Sequence, residues 1–257
     1  AADSRARPIL PARAIRVVAS RKARRSSPPD PSFPVRVRYS GAMLADRTLF
    51  LDGEAIVIDK PAGLPVDRPR DRSRSVEDML SELTFGLHRW PLPVHRLDRD
   101  TSGCLLLARN PGAAKRFGQA FEAGMVEKRY VAVLDGVPQE QAGTIDLPLG
   151  KTSTREAGWR IVPDPSGKRA VTHWRVVEVK DGRALIEFTP DTGRTHQLRV
   201  HAANGLGVPI AGDPVYGRGI GPMLLHAVAL KLPRANKPPV EAEAPLPQSF
   251  LDAGFGG

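Results

Sequence analysis

From residue 48 onward, short apolar runs alternate with turn residues. "TLFLDGEAIVIDK" sets β-rich runs on either side of Asp52-Gly53, the mark of a tight hairpin. "SVEDMLSEL" puts Val76, Met79, Leu80 and Leu83 on one face of a short helix, with Ser75 as its cap and Asp78 three residues on. "CLLLARN" is apolar without alternation and reads as a buried strand. Asn110 then caps a helix that starts at Pro111, carries Phe117 and Phe121 one turn apart, and has Gly124 near its end. "KRYVAVLDG" predicts a strand closing on a turn. "THWRVVEVKDGRALIEFTP" predicts a hairpin turning at Asp181-Gly182, and "THQLRVHAANG" a short helix ending before Gly205. Strands outnumber helices, and their order lacks a βαβ rhythm. The pattern therefore predicts an α+β fold: a largely antiparallel mixed sheet with flanking helices and loops.

The pattern divides the chain into three. Residues 42–234 form the expected folded domain. Residues 1–41 are a basic, Pro-rich arm, expected to be disordered or extended. Residues 1–40 hold ten Lys or Arg against two Asp, so +8 of the net +10 lies there. Three readings stay open: a grip on nucleic-acid phosphates, a solvated tail, or a targeting peptide. Pro8 and Pro11 argue against the continuous amphipathic helix that the last would need. Residues 235–257 are rich in proline and read as an extended wrap or a loose tail.

Composition removes several classes. Cys104 is the single cysteine, which excludes an intramolecular disulfide and fits the reducing cytoplasm. No apolar run is long enough to span a membrane. "AIRVVAS" is too short for a signal peptide and is broken by Arg16. His196 and His201 have the wrong spacing for one helix face, and no HExxH occurs, so no metal is expected. Neither a phosphate loop of the GxxxxGK[ST] type nor a GxSxG nucleophile elbow appears.

"VHRLDRDTSG" survives these exclusions. Asp98 stands before a Thr-Ser-Gly turn and a buried strand, where a rigid scaffold can hold a side chain out to solvent. A carboxylate there works as nucleophile or base if it stays ionised, and a nearby arginine favours that form. "GRTHQLRVH" offers Arg194 and Arg199 around a helix start. The plainer reading makes Asp98 a surface turn residue paired to Arg96 or Arg99.

"HRLDRDTSG" and "GRTHQLRVH" together resemble the RluA-type family of RNA pseudouridine synthases. "DKPAGLPV" (59–66) is similar to that family's first motif and "KRYVAVLDG" (128–136) to its tyrosine motif. "PIAGDPVYG" (209–217) and "LLHA" (224–227) are similar to its closing motifs, all in the family's order. The resemblance implies the pseudouridine synthase catalytic fold, with Asp98 as catalytic aspartate, Tyr130 stacking on the target base and Arg199 pairing with Asp98. It implies that Arg96 helps open the RNA and takes the flipped base's place, with Arg194 a candidate phosphate contact. Asp67 departs from the pattern, standing where a less acidic residue is usual, and Cys104 replaces a usual aliphatic residue.

The implied reaction turns uridine into pseudouridine in ribosomal RNA or tRNA. The base leaves through N1, rotates and rejoins the ribose through C5. No atoms are exchanged, so no cofactor or metal is expected. Attack of Asp98 on the sugar and removal of a sugar proton both remain open. Tyr130 has a plainer reading as a core strand residue, and Arg194 as surface charge. His95, His201 and His226 read as structural hydrogen-bonders. The expected partner is RNA, without a membrane, and the expected state is a monomer. The rival is a non-catalytic RNA-binding protein, which would share the basic arm but gives no reason for Asp98, Tyr130 and Arg199 in these contexts.

Overall fold

A computed structural model describes residues 43–154 and 158–256. The basic arm, 1–41, lies outside the described residues. The elements in chain order are β1 (Thr48–Leu51), β2 (Ala55–Lys60), β3 (Leu92–Pro93), β4 (Ser102–Ala108), α1 (Pro111–Glu122), β5 (Glu127–Leu134), β6 (Ala142–Asp146), β7 (Leu149–Thr154) and β8 (Gly158–Pro163). They continue with β9 (Val171–Lys180), β10 (Arg183–Pro190), α2 (Gln197–Val200), β11 (Leu225–Leu232), β12 (Val240–Glu243) and α3 (Gln248–Asp252). "SVEDMLSEL" forms a 3-10 helix, Glu77–Leu83, and α2 runs on into a π-helical turn, His201–Gly205.

Ten strands build one sheet along the path β1-β2-β4-β11-β5-β10-β9-β6, with β3 added on β4 and β12 on β11. Its pairings among the described residues are antiparallel except β4 with β11. This is the α+β architecture the strand pattern predicts. Local sequence explains the joints. Asp181 and Gly182 take φ of 50° and 73°, the left-handed pair that a two-residue hairpin turn needs. Asn110 Oδ1 accepts the Ala113 N–H at 2.8 Å, and Pro111 follows as the first residue of α1.

Alternation along the strands gives the sheet two apolar faces. On the front, Ile56, Ile58, Leu105 and Leu107 pack with Leu97, while Ala132, Ile186 and Phe188 pack with Leu198 of α2. On the back, Val57 and Leu106 meet Phe117 of α1, and Val131, Val133 and Leu185 meet Phe250 and Phe255. The last two exclude the loose tail that was one of the two readings of 235–257 and agree with the extended wrap. That segment supplies β12 to the sheet and α3 to its back. Phe250 and Phe255 are each 1% exposed, and burying one such ring is worth about 1.5–3 kcal/mol. The prolines dominated the composition, but the two aromatic anchors decide the structure. The pair β7–β8 forms a separate two-stranded sheet.

Candidate active site

Asp98 lies in the loop that enters β4, and its carbonyl accepts the Thr101 N–H at 3.1 Å. Two features fix this loop. Gly103 has φ +103°, and a Cβ there would overlap the Ala227 carbonyl of β11. Glycine thus lets β4 and β11 begin side by side, with Ser102 opposite His226. Beneath the loop sits Lys60, 0% exposed at the end of β2. Its Nζ donates to the carbonyls of Pro61 (2.9 Å), Leu64 (2.8 Å) and Arg99 (3.1 Å). Burial pushes its pKa down to about 7, although the charges of Asp100, Asp98 and Asp59 pull the other way. One buried ammonium therefore ties the first motif to the residue after Asp98.

Arg199 comes from α2. Gln197 sets the start of that helix: its Oε1 accepts from Thr192 Oγ1 (2.8 Å) and the Arg194 N–H (2.9 Å), and its Nε2 donates to Val171 O (3.0 Å). Leu198 turns into the core, and Arg199 faces the Asp98 loop at 5% exposure. Its Nε and Nη2 donate to the two carboxylate oxygens of Asp213, both at 2.8 Å. Its Nη1 donates to Asp98 Oδ2 at 3.2 Å. Asp213 is fully buried and also accepts the N–H groups of Val215 (2.8 Å) and Tyr216 (3.0 Å). Burial opposes charge on both partners. The bonds and charges between them outweigh it, so Arg199 is held above its ordinary pKa and Asp213 below.

Two rings complete the wall. His196 Nε2 lies 3.8 Å from Asp98 Oδ2, and its Nδ1 is 2.9 Å from the Tyr216 hydroxyl. That hydroxyl also accepts the Ile161 N–H at 3.1 Å; a neutral His196 that takes the hydroxyl proton on Nδ1 carries its own on Nε2, toward Asp98. Burial lowers the His196 pKa despite Asp98. Trp159, 44% exposed on β8, meets the His196 ring edge-on at 5.3 Å. Tyr130, on β5, is half-buried where the two front clusters join. Burial and then the Asp98 charge raise its phenol pKa, which keeps it neutral.

The fold thus gathers Asp98, Tyr130 and Arg199 from parts of the chain far apart in sequence. It does not bring Arg194 to them: Arg194 Nε donates to the Arg169 carbonyl at 3.0 Å. Arg96 pairs with Asp67 at 2.7 Å and not with Asp98. Sequence reasoning gave no role to Asp213, Lys60, His196 or Tyr216, although each lies inside a motif string. A signal was present for Lys60, a charge ending the apolar run "AIVIDK". Among the described residues, no three His, Cys, Asp or Glu side chains gather as a metal would require.

Residues 54–204 match the family model described as RNA pseudouridylate synthase. The chain belongs to that family. A Zymomonas mobilis protein named as an uncharacterized RNA pseudouridine synthase is 58% identical over 83% of this chain and 99% of its own length. The Rickettsia prowazekii ribosomal large subunit pseudouridine synthase C is 36% identical over 74% of this chain and 64% of its own length. Among solved structures, human RNA pseudouridylate synthase domain containing 4 superposes with a TM-score of 0.68 at 29% identity, covering 81% of this chain and 91% of that one. The protein is an RluA-type pseudouridine synthase, an enzyme of uridine isomerisation in RNA. Its mixed, largely antiparallel sheet is the pseudouridine synthase fold.

Proposed function

We propose that this enzyme isomerises specific uridines in structured ribosomal RNA or tRNA, acting as a monomer in the cytoplasm, with Asp98 as the catalytic carboxylate. The observation that carries the reading is the partly exposed Asp98 carboxylate bonded to Arg199, whose own fork is anchored on buried Asp213. An ionised carboxylate in a fixed place serves both openings of the reaction, attack on the sugar and removal of a sugar proton. Arg199 fixes the direction of that carboxylate.

The target base must leave its stack, which costs on the order of a few kcal/mol. Tyr130, neutral and next to Asp98, offers a stacking face to the flipped base. Arg96, exposed two residues before Asp98, fills the gap in the RNA. Arg194 contributes a phosphate contact away from the chemistry. The basic arm adds affinity, so deleting residues 1–40 weakens binding and flattens its salt dependence.

The test is Asp98→Asn, nearly isosteric but uncharged. Pseudouridine formation in an unmodified ribosomal RNA transcript should vanish while thermal stability and RNA affinity stay. Turnover at a comparable rate would remove Asp98 from the catalytic role.

A further inference from the structure

The loop that carries Asp98 has a second side. The turn at 65–70 and residues 96–99 border an open cleft of about 410 Å³, whose charged lining is Arg68, Arg70, Arg96, Arg99 and Asp67. Four guanidinium groups around one cleft repel each other unless anions stand between them. Arg68 and Arg99 have such partners in Asp78 (2.6 Å) and Asp71 (2.9 Å), neither of which lines the cleft. Among the described residues Arg70 has no ion-pair partner. Within the cleft the one carboxylate is Asp67, which holds Arg96 at 2.7 Å. Both side chains are open to solvent, at 69% and 49% exposure. Such a pair exchanges readily for a stronger anion.

A tight turn closes the segment that carries Arg68 and Arg70. Arg72 N–H donates to Pro69 O at 3.1 Å, and Arg72 sits at φ +55°, a region that residues other than glycine seldom enter. The cleft and the catalytic carboxylate share a backbone: Arg96, Leu97 and Arg99 line one side, and Asp98 lies between them.

We infer that this cleft seats a backbone phosphate of the RNA strand that presents its uridine to Asp98. Asp67 is the resident anion that the phosphate replaces, and Arg70 is the uncommitted donor that receives it. The exchange also frees Arg96 to enter the RNA. This rests on the reading that RNA is bound at Asp98, and it adds a site and a trigger to it. A phosphodiester fits because it carries one charge and accepts several N–H donors, which is what planar guanidinium groups offer.

The experiment measures affinity for an unmodified ribosomal RNA transcript across a salt series, with the full chain carrying Asp98→Asn so that no turnover intervenes. Arg70→Ala should weaken binding about 3- to 10-fold and lower the slope of log affinity against log salt by about 1. Asp67→Asn should tighten binding several-fold. Glu241→Gln removes the same charge from β12, at the far end of β11, and should change affinity less than 2-fold. Unchanged slope and affinity in Arg70→Ala, or an Asp67→Asn effect no larger than that of Glu241→Gln, would overturn the phosphate seat. If affinity responds as expected but the Asp98→Asn protein still makes pseudouridine, the seat stands and the Asp98 reading falls.

Discussion

Arg199 gives its planar fork to Asp213 and a single N–H to Asp98. The donor distances are 2.8 and 2.8 Å to the first carboxylate and 3.2 Å to the second. The buried pair is the anchor, and the partly exposed carboxylate takes what is left of the guanidinium. Asp98 is therefore oriented without being fully neutralised by a bidentate partner. The division of labour follows from burial, because Asp213 is 0% exposed and would be intolerable without its arginine.

Asp213 is accordingly a positioning residue. Asp213→Ala strips the buried Arg199 of its bidentate partner and leaves it the single bond to Asp98, at a cost of up to about 3–5 kcal/mol. Asp213→Asn keeps the shape and costs less. In either variant Arg199 swings toward Asp98, and turnover should drop at least about 10-fold, which corresponds to 1.4 kcal/mol or more. Thermal melts with single-turnover assays separate the two effects. An Asp213→Asn enzyme with parental turnover would show that Arg199 needs no anchor.

Lys60 holds the catalytic loop from below. Lys60→Met keeps the aliphatic stem but strands three carbonyls, and a buried acceptor left unpaired costs about 1–3 kcal/mol. Lower stability and slower turnover are expected together, with RNA affinity preserved because Lys60 faces away from solvent. Weaker RNA binding at unchanged turnover would contradict a role through the loop.

Gly103→Ala tests the junction of β4 and β11. The new methyl group would collide with the Ala227 backbone at a φ that disfavours any side chain. The strain of such a φ costs about 1–3 kcal/mol, and overpacking adds about 1–3 kcal/mol more. Denaturant melts should show the loss, and the soluble fraction should have reduced turnover because Asp98 is displaced. A variant as stable as the parent would mean that the strands part easily here.

Acid should destabilise the fold through two histidines. His95 Nε2 accepts the Leu106 N–H at 2.9 Å, and His226 Nδ1 is 2.8 Å from Ser102 Oγ. Burial pushes their pKa values from 6.5 down to about 3 and about 4. The folded state thus keeps both rings neutral while the unfolded chain protonates them near 6.5. Their contribution is complete above that pH and is lost as pH falls toward 4 and then 3. Melting temperature should decline between pH 7 and pH 4.5, and His226→Gln should make the decline shallower. An equally steep decline in His226→Gln would assign it to other groups.

The elements that local chemistry dictates could be read from the sequence. The hairpins at Asp52-Gly53 and Asp181-Gly182, the Asn110 cap and the buried strand after Asp98 each follow from a few neighbouring residues. The resemblance pointed to Asp98, Tyr130 and Arg199, which the fold gathers on one face. What stayed hidden depends on distant partners. No local pattern states that Asp213 takes the Arg199 fork, that Lys60 reaches the Arg99 carbonyl or that Arg96 rests on Asp67. The C-terminal segment stayed open between a wrap and a loose tail because prolines are visible in composition, whereas the surface awaiting Phe250 exists after β5, β10 and β11 have come together.

The separation of Asp98 from its arginine has a consequence for the life of the chain. Their contact spans 101 positions, and the pairing of β4 with β11 spans more. Contacts of that reach form late and slowly, after shorter loops have closed. A chain folded as far as β10 carries the carboxylate without its guanidinium, and one cut between them carries neither in place. Competence to rearrange a nucleoside therefore needs both stretches of the chain in place together.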